Sequence, residues 1–136
     1  MTRRQGLLCL LLAVTAAAGL LARRYGGPGA WLIRGSIGGF FYVLFWCLLA
    51  FLLCPRLRPG ALVLAVVGAT CLIEFAQLWR PPFLEAVRRT AAGELLVGSV
   101  FGWADLPWYF AGGLAARLAE RALPPGRSPE GADLVD

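Results

Sequence analysis

Glu74 and Gln77 interrupt an otherwise apolar run, three residues apart and about one helical turn before Trp79. Residues at i and i+3 share a helix face, so this carboxylate and carboxamide can reach one ligand together. A carboxylate set among apolar residues is costly and by default marks a functional position. Arg80, Arg88 and Arg89 follow on the same side, and their planar forks suit a carboxylate or phosphate partner. With Thr90 and Glu94 these residues outline a polar cluster. It reads in one of three ways. It holds an anionic lipid headgroup or another anionic ligand. It is a strut in which Glu74 pairs with an arginine or with a polar backbone group and pins neighbouring helices. Or Glu74 is a general base acting on an envelope lipid whose phosphate Arg88 positions, a reading that nothing in the sequence requires. The chain therefore reads more readily as a non-enzyme.

Asp105 is expected to stand apart. On one continuous helix it lies eleven residues beyond Glu94, roughly 16 Å deeper. There it pairs with Arg56, Arg58 or helix backbone near Pro107, or serves as a proton relay.

Other chemistry is closed off. Without histidine there is no Ser-His-Asp or Cys-His arrangement, and no glycine-rich loop that cradles phosphate precedes a helix. Cys9, Cys47, Cys54 and Cys71 all fall in apolar runs, where a free thiol behaves as a small hydrophobe. No disulfide, metal site or cofactor is expected.

The elements that must carry these residues are long apolar runs at 6–22, 35–54, 61–79 and 90–114. A helix of about 17 residues covers roughly 25 Å, enough for a thinner bilayer. The first run also has the outline of a signal peptide, but another span follows it instead of a soluble domain. Six residues rich in Pro and Gly, from Pro55 to Gly60, predict an antiparallel hairpin between the second and third runs. Gly35 and Gly39 form a small-xxx-small pair, as do Gly98 and Gly102, and either would let another helix approach closely, which gives an alternative reading of the chain as a subunit of a membrane transporter or oligomer. Pro81 and Pro82 end the third run, residues 83–89 suit a short interfacial turn, and Pro107 should kink the fourth run. Residues 123–136, rich in Pro, Gly and acids, lack the apolar content to pack and predict a disordered tail.

Bulk composition agrees. With 59% hydrophobic residues, 15% charged and a mean hydropathy of +0.69, the 136 residues carry more apolar surface than one small soluble core can hide. The expected fold class is all-α, a polytopic transmembrane bundle of about four helices over residues 1–122. All 13 basic residues are Arg, set at the ends of apolar runs, as expected for side chains that snorkel to lipid headgroups. No recognition helix or stacking platform supports nucleic-acid binding. The amino terminus, second loop and tail contribute seven Arg and the remaining loops six, so the positive-inside rule scarcely decides orientation. Arg3, Arg4 and the compact pair Arg56 and Arg58 favour both termini in the cytoplasm.

The segment Ile73-Glu74-Phe75-Ala76-Gln77-Leu78-Trp79 continues through Pro82-Phe83-Leu84-Glu85-Ala86-Val87-Arg88, Thr90, Gly93, Gly98 and Trp103-Ala104-Asp105-Leu106. It resembles a small bacterial membrane family of unknown function in the VanZ-like group. The likeness extends more loosely upstream and covers most of the chain before the tail. It implies about four helices in a bacterial inner membrane and Glu74, Gln77, Arg88, Thr90 and Asp105 as the family's polar positions. By analogy it also implies an accessory cell-envelope role, since VanZ itself is linked to glycopeptide resistance. The chain departs from that pattern at Gly38-Gly39, where Gly-Asp is expected, and at Glu94, where a second Gly is expected. The partners expected are the bilayer, an anionic lipid headgroup and a second copy of the chain.

Overall fold

Thr2 starts the first helix. Its hydroxyl accepts a hydrogen bond from the Gln5 N–H at 3.2 Å, while the Gln5 side chain accepts one from the Thr2 N–H at 2.8 Å. Two of the donors that a helix start leaves open are thereby satisfied. The computed structural model describes residues 1–97 and 102–125; Gly98 and residues 126–136, and with them most of the expected tail, lie outside the described residues. Within the described residues there are six helices and no strand.

Helix α1 spans Arg3–Arg24 and closes with Arg23 and Arg24, which complement the negative end of its dipole. Gly29, at φ +72°, makes the left-handed turn into α2, Ala30–Leu53. The wider π turn Ile33–Ile37 sits inside α2, where Gly35, Ser36 and Gly38 lower helical stiffness. A five-residue connection, 54–58, leads to α3, Pro59–Ala76, which has proline in its first turn. This is the hairpin expected between the second and third runs, and Leu57 N–H tightens it by donating to Cys54 O at 3.1 Å. Two short helices, α4 (Pro82–Arg88) and α5 (Ala91–Val97), precede α6, Leu106–Ala122.

Helices α1, α2 and α3 are each long and apolar enough to cross a membrane, and no more than 28% of the most apolar stretch of any is covered by the rest of the chain. Leu10, Leu21, Leu64 and Leu72 stand bare on their outer faces. Such a belt suits hydrocarbon rather than water. Helix α6 lies against both α2 and α3, and α1 packs along the other flank of α2. Glycines permit the closest approaches. A Cβ on Gly112 would come within 2.6 Å of the Phe40 carbonyl oxygen, and one on Gly113 within 2.7 Å of Val67. The core that results is built from Leu8, Val43, Cys47, Leu48, Phe51, Val67, Tyr109 and Ala116.

The fourth apolar run corrects the sequence expectation. Residues 90–114 do not form one kinked helix: Gly102 is extended, Trp103–Asp105 forms a 3-10 turn, and α6 begins at Leu106 with Pro107 in its first turn. Proline is as well suited to starting a helix as to bending one, because its missing N–H is not needed there. Consequently α6 runs on past residue 114 to Ala122.

Candidate functional site

Glu74 lies in the last turn of α3 and is 3% exposed. Its Oε2 accepts hydrogen bonds from the Tyr109 hydroxyl at 2.8 Å and the Gln77 side-chain amide at 3.3 Å. Its Oε1 accepts one from the Gly102 backbone N–H at 2.9 Å. Neutral donors on α3, on α6 and on the turn before α6 thus surround the carboxylate, which forms no ion pair among the described residues. Glu74 thus ties α3 to α6 through the Tyr109 phenol and to the turn before α6 through the Gly102 backbone amide.

Tyr109 reaches Glu74 because its ring lies over Gly39 of α2, where a Cβ would sit 2.6 Å from the ring. The Gly35/Gly39 stripe, read from sequence as a helix-approach face, is therefore filled from within the chain. Its other end faces Asp105, whose Oδ1 would lie 3.5 Å from a Cβ on Gly35.

Asp105 also departs from expectation. It stands at the Glu74 end of the bundle, where its Oδ1 accepts from the Ser36 hydroxyl at 3.4 Å. Arg56 and Arg58 lie at the opposite end, in the α2–α3 connection. The expected depth assumed one helix from Glu94 onward, whereas the extended backbone at Gly102 starts α6 afresh from the Glu74 end. The π turn of α2 contributes to the meeting by turning Ser36 inward, leaving it 3% exposed. Burial raises the Asp105 carboxyl above its ordinary range, and the Ser36 hydrogen bond lowers it part of the way back.

Arg88, in the last turn of α4, is 8% exposed. Its Nη1 donates to Glu85 Oε1 at 2.9 Å, one turn earlier. The Nε and Nη2 atoms are buried and have no hydrogen-bond partner among the described residues. These two nitrogens form one edge of the guanidinium, the edge that binds a carboxylate or phosphate side-on with two parallel hydrogen bonds. Helix α4 is set by the turn that follows it, in which Thr90 donates to Val87 O at 2.7 Å and accepts from Gly93 N–H at 3.0 Å. A Cβ on Gly93 would fall 1.7 Å from Val87 O, so only glycine allows this turn.

The six residues singled out from sequence therefore fall into separate arrangements. Glu74 and Gln77 share the buried node, and Arg88 holds its own pair with Glu85. Thr90 caps the start of α5. Glu94 turns away to Arg23 of α1, at 3.1 Å on the surface, and Asp105 meets α2. The residues that sequence reasoning missed are Tyr109, Ser36 and the Gly102 backbone. Tyr109 carried one signal: a tyrosine amid apolar residues needs a partner for its hydroxyl when buried.

Aromatic side chains frame this end. Trp79 packs edge-on against Phe83, and Trp103 against Phe75, each with ring centres 6.0 Å apart, while Trp31, Trp79 and Trp103 are exposed. Exposed tryptophans of this kind settle at the level of lipid headgroups.

Residues 29–113 match the sequence model of a family described as Protein of unknown function (DUF2809), a match that covers the Glu74 node, Arg88 and Asp105. No curated protein and no solved structure matches significantly.

Proposed function

We propose that this chain, which belongs to the DUF2809 family of proteins of unknown function, is a multi-pass membrane protein that binds an anionic lipid headgroup at Arg88. The observation that carries this reading is the buried edge of the Arg88 guanidinium, with Nε and Nη2 unpartnered among the described residues. Burying a cationic N–H without an acceptor costs several kcal/mol, so an anion or water on that edge is favoured. A phosphodiester brings two oxygens at the spacing of the fork and one negative charge. Glu85 already neutralises part of the arginine, which suits a singly charged ligand better than a multiply charged one.

The surroundings of α4 favour a lipid as the source of that phosphate. Phe83 and Val87 are exposed on the same short helix, next to exposed Trp79, the composition of a segment lying in the headgroup layer. Glu74 has a structural task in this reading, since three donors engage its oxygens and leave it poorly placed to act as a base. A cell-envelope role in a bacterial inner membrane follows from the VanZ-like resemblance, and Arg3, Arg4, Arg56 and Arg58 favour the Glu74 end facing away from the cytoplasm.

The test is retention of lipid by the full chain purified in mild detergent, read by native mass spectrometry with phosphatidylglycerol and phosphatidylcholine as probes. Arg88→Gln should cost one phosphatidylglycerol per chain, while Arg89→Gln, on an exposed neighbour, should cost none. Arg88→Lys keeps the charge but not the fork and should fall between them. Equal retention by Arg88→Gln and the unaltered chain would rule the site out.

A further inference from the structure

At the far end of the bundle, the α2–α3 connection presents Arg56-Leu57-Arg58 between Pro55 and Pro59. Two prolines and the Leu57-to-Cys54 backbone hydrogen bond hold this turn. All three side chains are exposed. Neither arginine has a hydrogen bond or ion pair among the described residues. The surrounding charge leaves both available. Arg3, Arg4, Arg117 and Arg121 share this end, and its one acidic side chain among the described residues, Glu120, is engaged by Arg4 and Arg117.

Below the turn runs a groove of about 590 Å³ lined by Arg56, Leu57, Arg58, Ala61, Leu62 and Ala65. Its mouth is cationic and its floor apolar. Ala61 and Ala65, one turn apart, keep the floor low and open along α3, whose outer face continues into exposed Leu64 and Leu72. An occupant that enters from the hydrocarbon side must therefore be apolar along α3 and anionic at the turn.

We propose that this groove is a second lipid site, which seats the phosphate of an anionic phospholipid between Arg56 and Arg58 and one acyl chain along Ala61 and Ala65. It rests on the reading of the chain as a membrane protein but is independent of the Arg88 site, which lies in the opposite leaflet. The occupant is argued from charge complementarity: two exposed arginines without acids, above an apolar channel open to the bilayer, match a phospholipid at both ends.

The experiment is a titration of the full chain in detergent with phosphatidylglycerol, phosphatidylcholine and inorganic phosphate, followed by native mass spectrometry. The unaltered chain should bind phosphatidylglycerol about thirtyfold more tightly than phosphatidylcholine, the preference that two arginines near a lipid surface supply. Arg56→Gln/Arg58→Gln should erase that preference at one site, whereas Arg88→Gln should leave it in place. Ala65→Trp fills the floor and keeps both arginines, so it should also weaken phosphatidylglycerol; it serves as the readout if the double variant does not fold. Unchanged preference in both variants would overturn the proposal, as would full displacement of lipid by millimolar phosphate. Displacement by a synthetic peptide of residues 126–136, which carries Glu130, Asp133 and Asp136, would assign the groove to the chain's own end and overturn it too.

Discussion

Removing the Tyr109 hydroxyl isolates the smallest part of the Glu74 node. Tyr109→Phe takes away the 2.8 Å hydrogen bond while leaving the ring over Gly39. Side-chain hydrogen bonds between helices in membranes contribute about 0.6–1.7 kcal/mol, so thermal unfolding in detergent should shift by an amount in that range. Glu74→Ala should cost more, because it leaves the donors of Tyr109, Gln77 and the Gly102 backbone without their shared acceptor. If the phenylalanine variant loses as much as the alanine variant, ring packing holds the interface and the node is secondary. At this scale the sequence was informative on one side only. Glu74 and Gln77 announce themselves as polar residues in an apolar run, whereas Tyr109 sits 35 residues away and shows no local sign of its partner.

Among the elements, α6 has the tightest constraints, since it must approach two neighbours at once. Gly112→Ala would bring a methyl group to 2.6 Å from a backbone oxygen of α2, which cannot rotate aside. Overpacking of this kind costs about 1–3 kcal/mol, and the measured drop in stability should exceed that of Gly68→Ala, where nothing lies within 4 Å. Equal effects at the two positions would mean that α6 is not held at this distance. The π turn of α2 and the extended residue before α6 were not legible from composition. Apolar content describes how a segment partitions between water and lipid, and a long kinked helix and two shorter pieces partition alike. Pro107 was visible, but a proline permits a bend or a start, and only its neighbours decide which.

For the molecule as a whole, the two ends differ in kind. Four of the five tryptophans, Trp31, Trp79, Trp103 and Trp108, gather at the Glu74 end, whereas exposed arginines stand at both ends. Helix α3, long and apolar enough to cross a membrane, separates α4 from the α2–α3 connection, so a crossing α3 puts the two on opposite sides. In a chain with Cys9, Cys47, Cys54 and Cys71 replaced, single cysteines at Glu85 and at Leu57 should never both react with an impermeant maleimide in intact cells. Labelling at Glu85 alone is the expected outcome and puts the Arg88 site outside. Labelling at Leu57 alone would turn the molecule over and give the outer leaflet to the hairpin groove; labelling at both would break the topology.

What the chain's sequence determined by itself is its relation to the solvent. The apolar runs, the hairpin at Pro55 and Pro59, and the end of the bundle where Glu74 and Gln77 lie all follow from local composition and helical period. Tertiary structure alone decided the pairings: Glu74 with Tyr109, Asp105 with Ser36, Glu94 with Arg23, and an unpaired edge on buried Arg88. Each depends on where the chain reverses and how closely glycines let helices approach. Those are properties of several distant segments together, and no single stretch of residues encodes them.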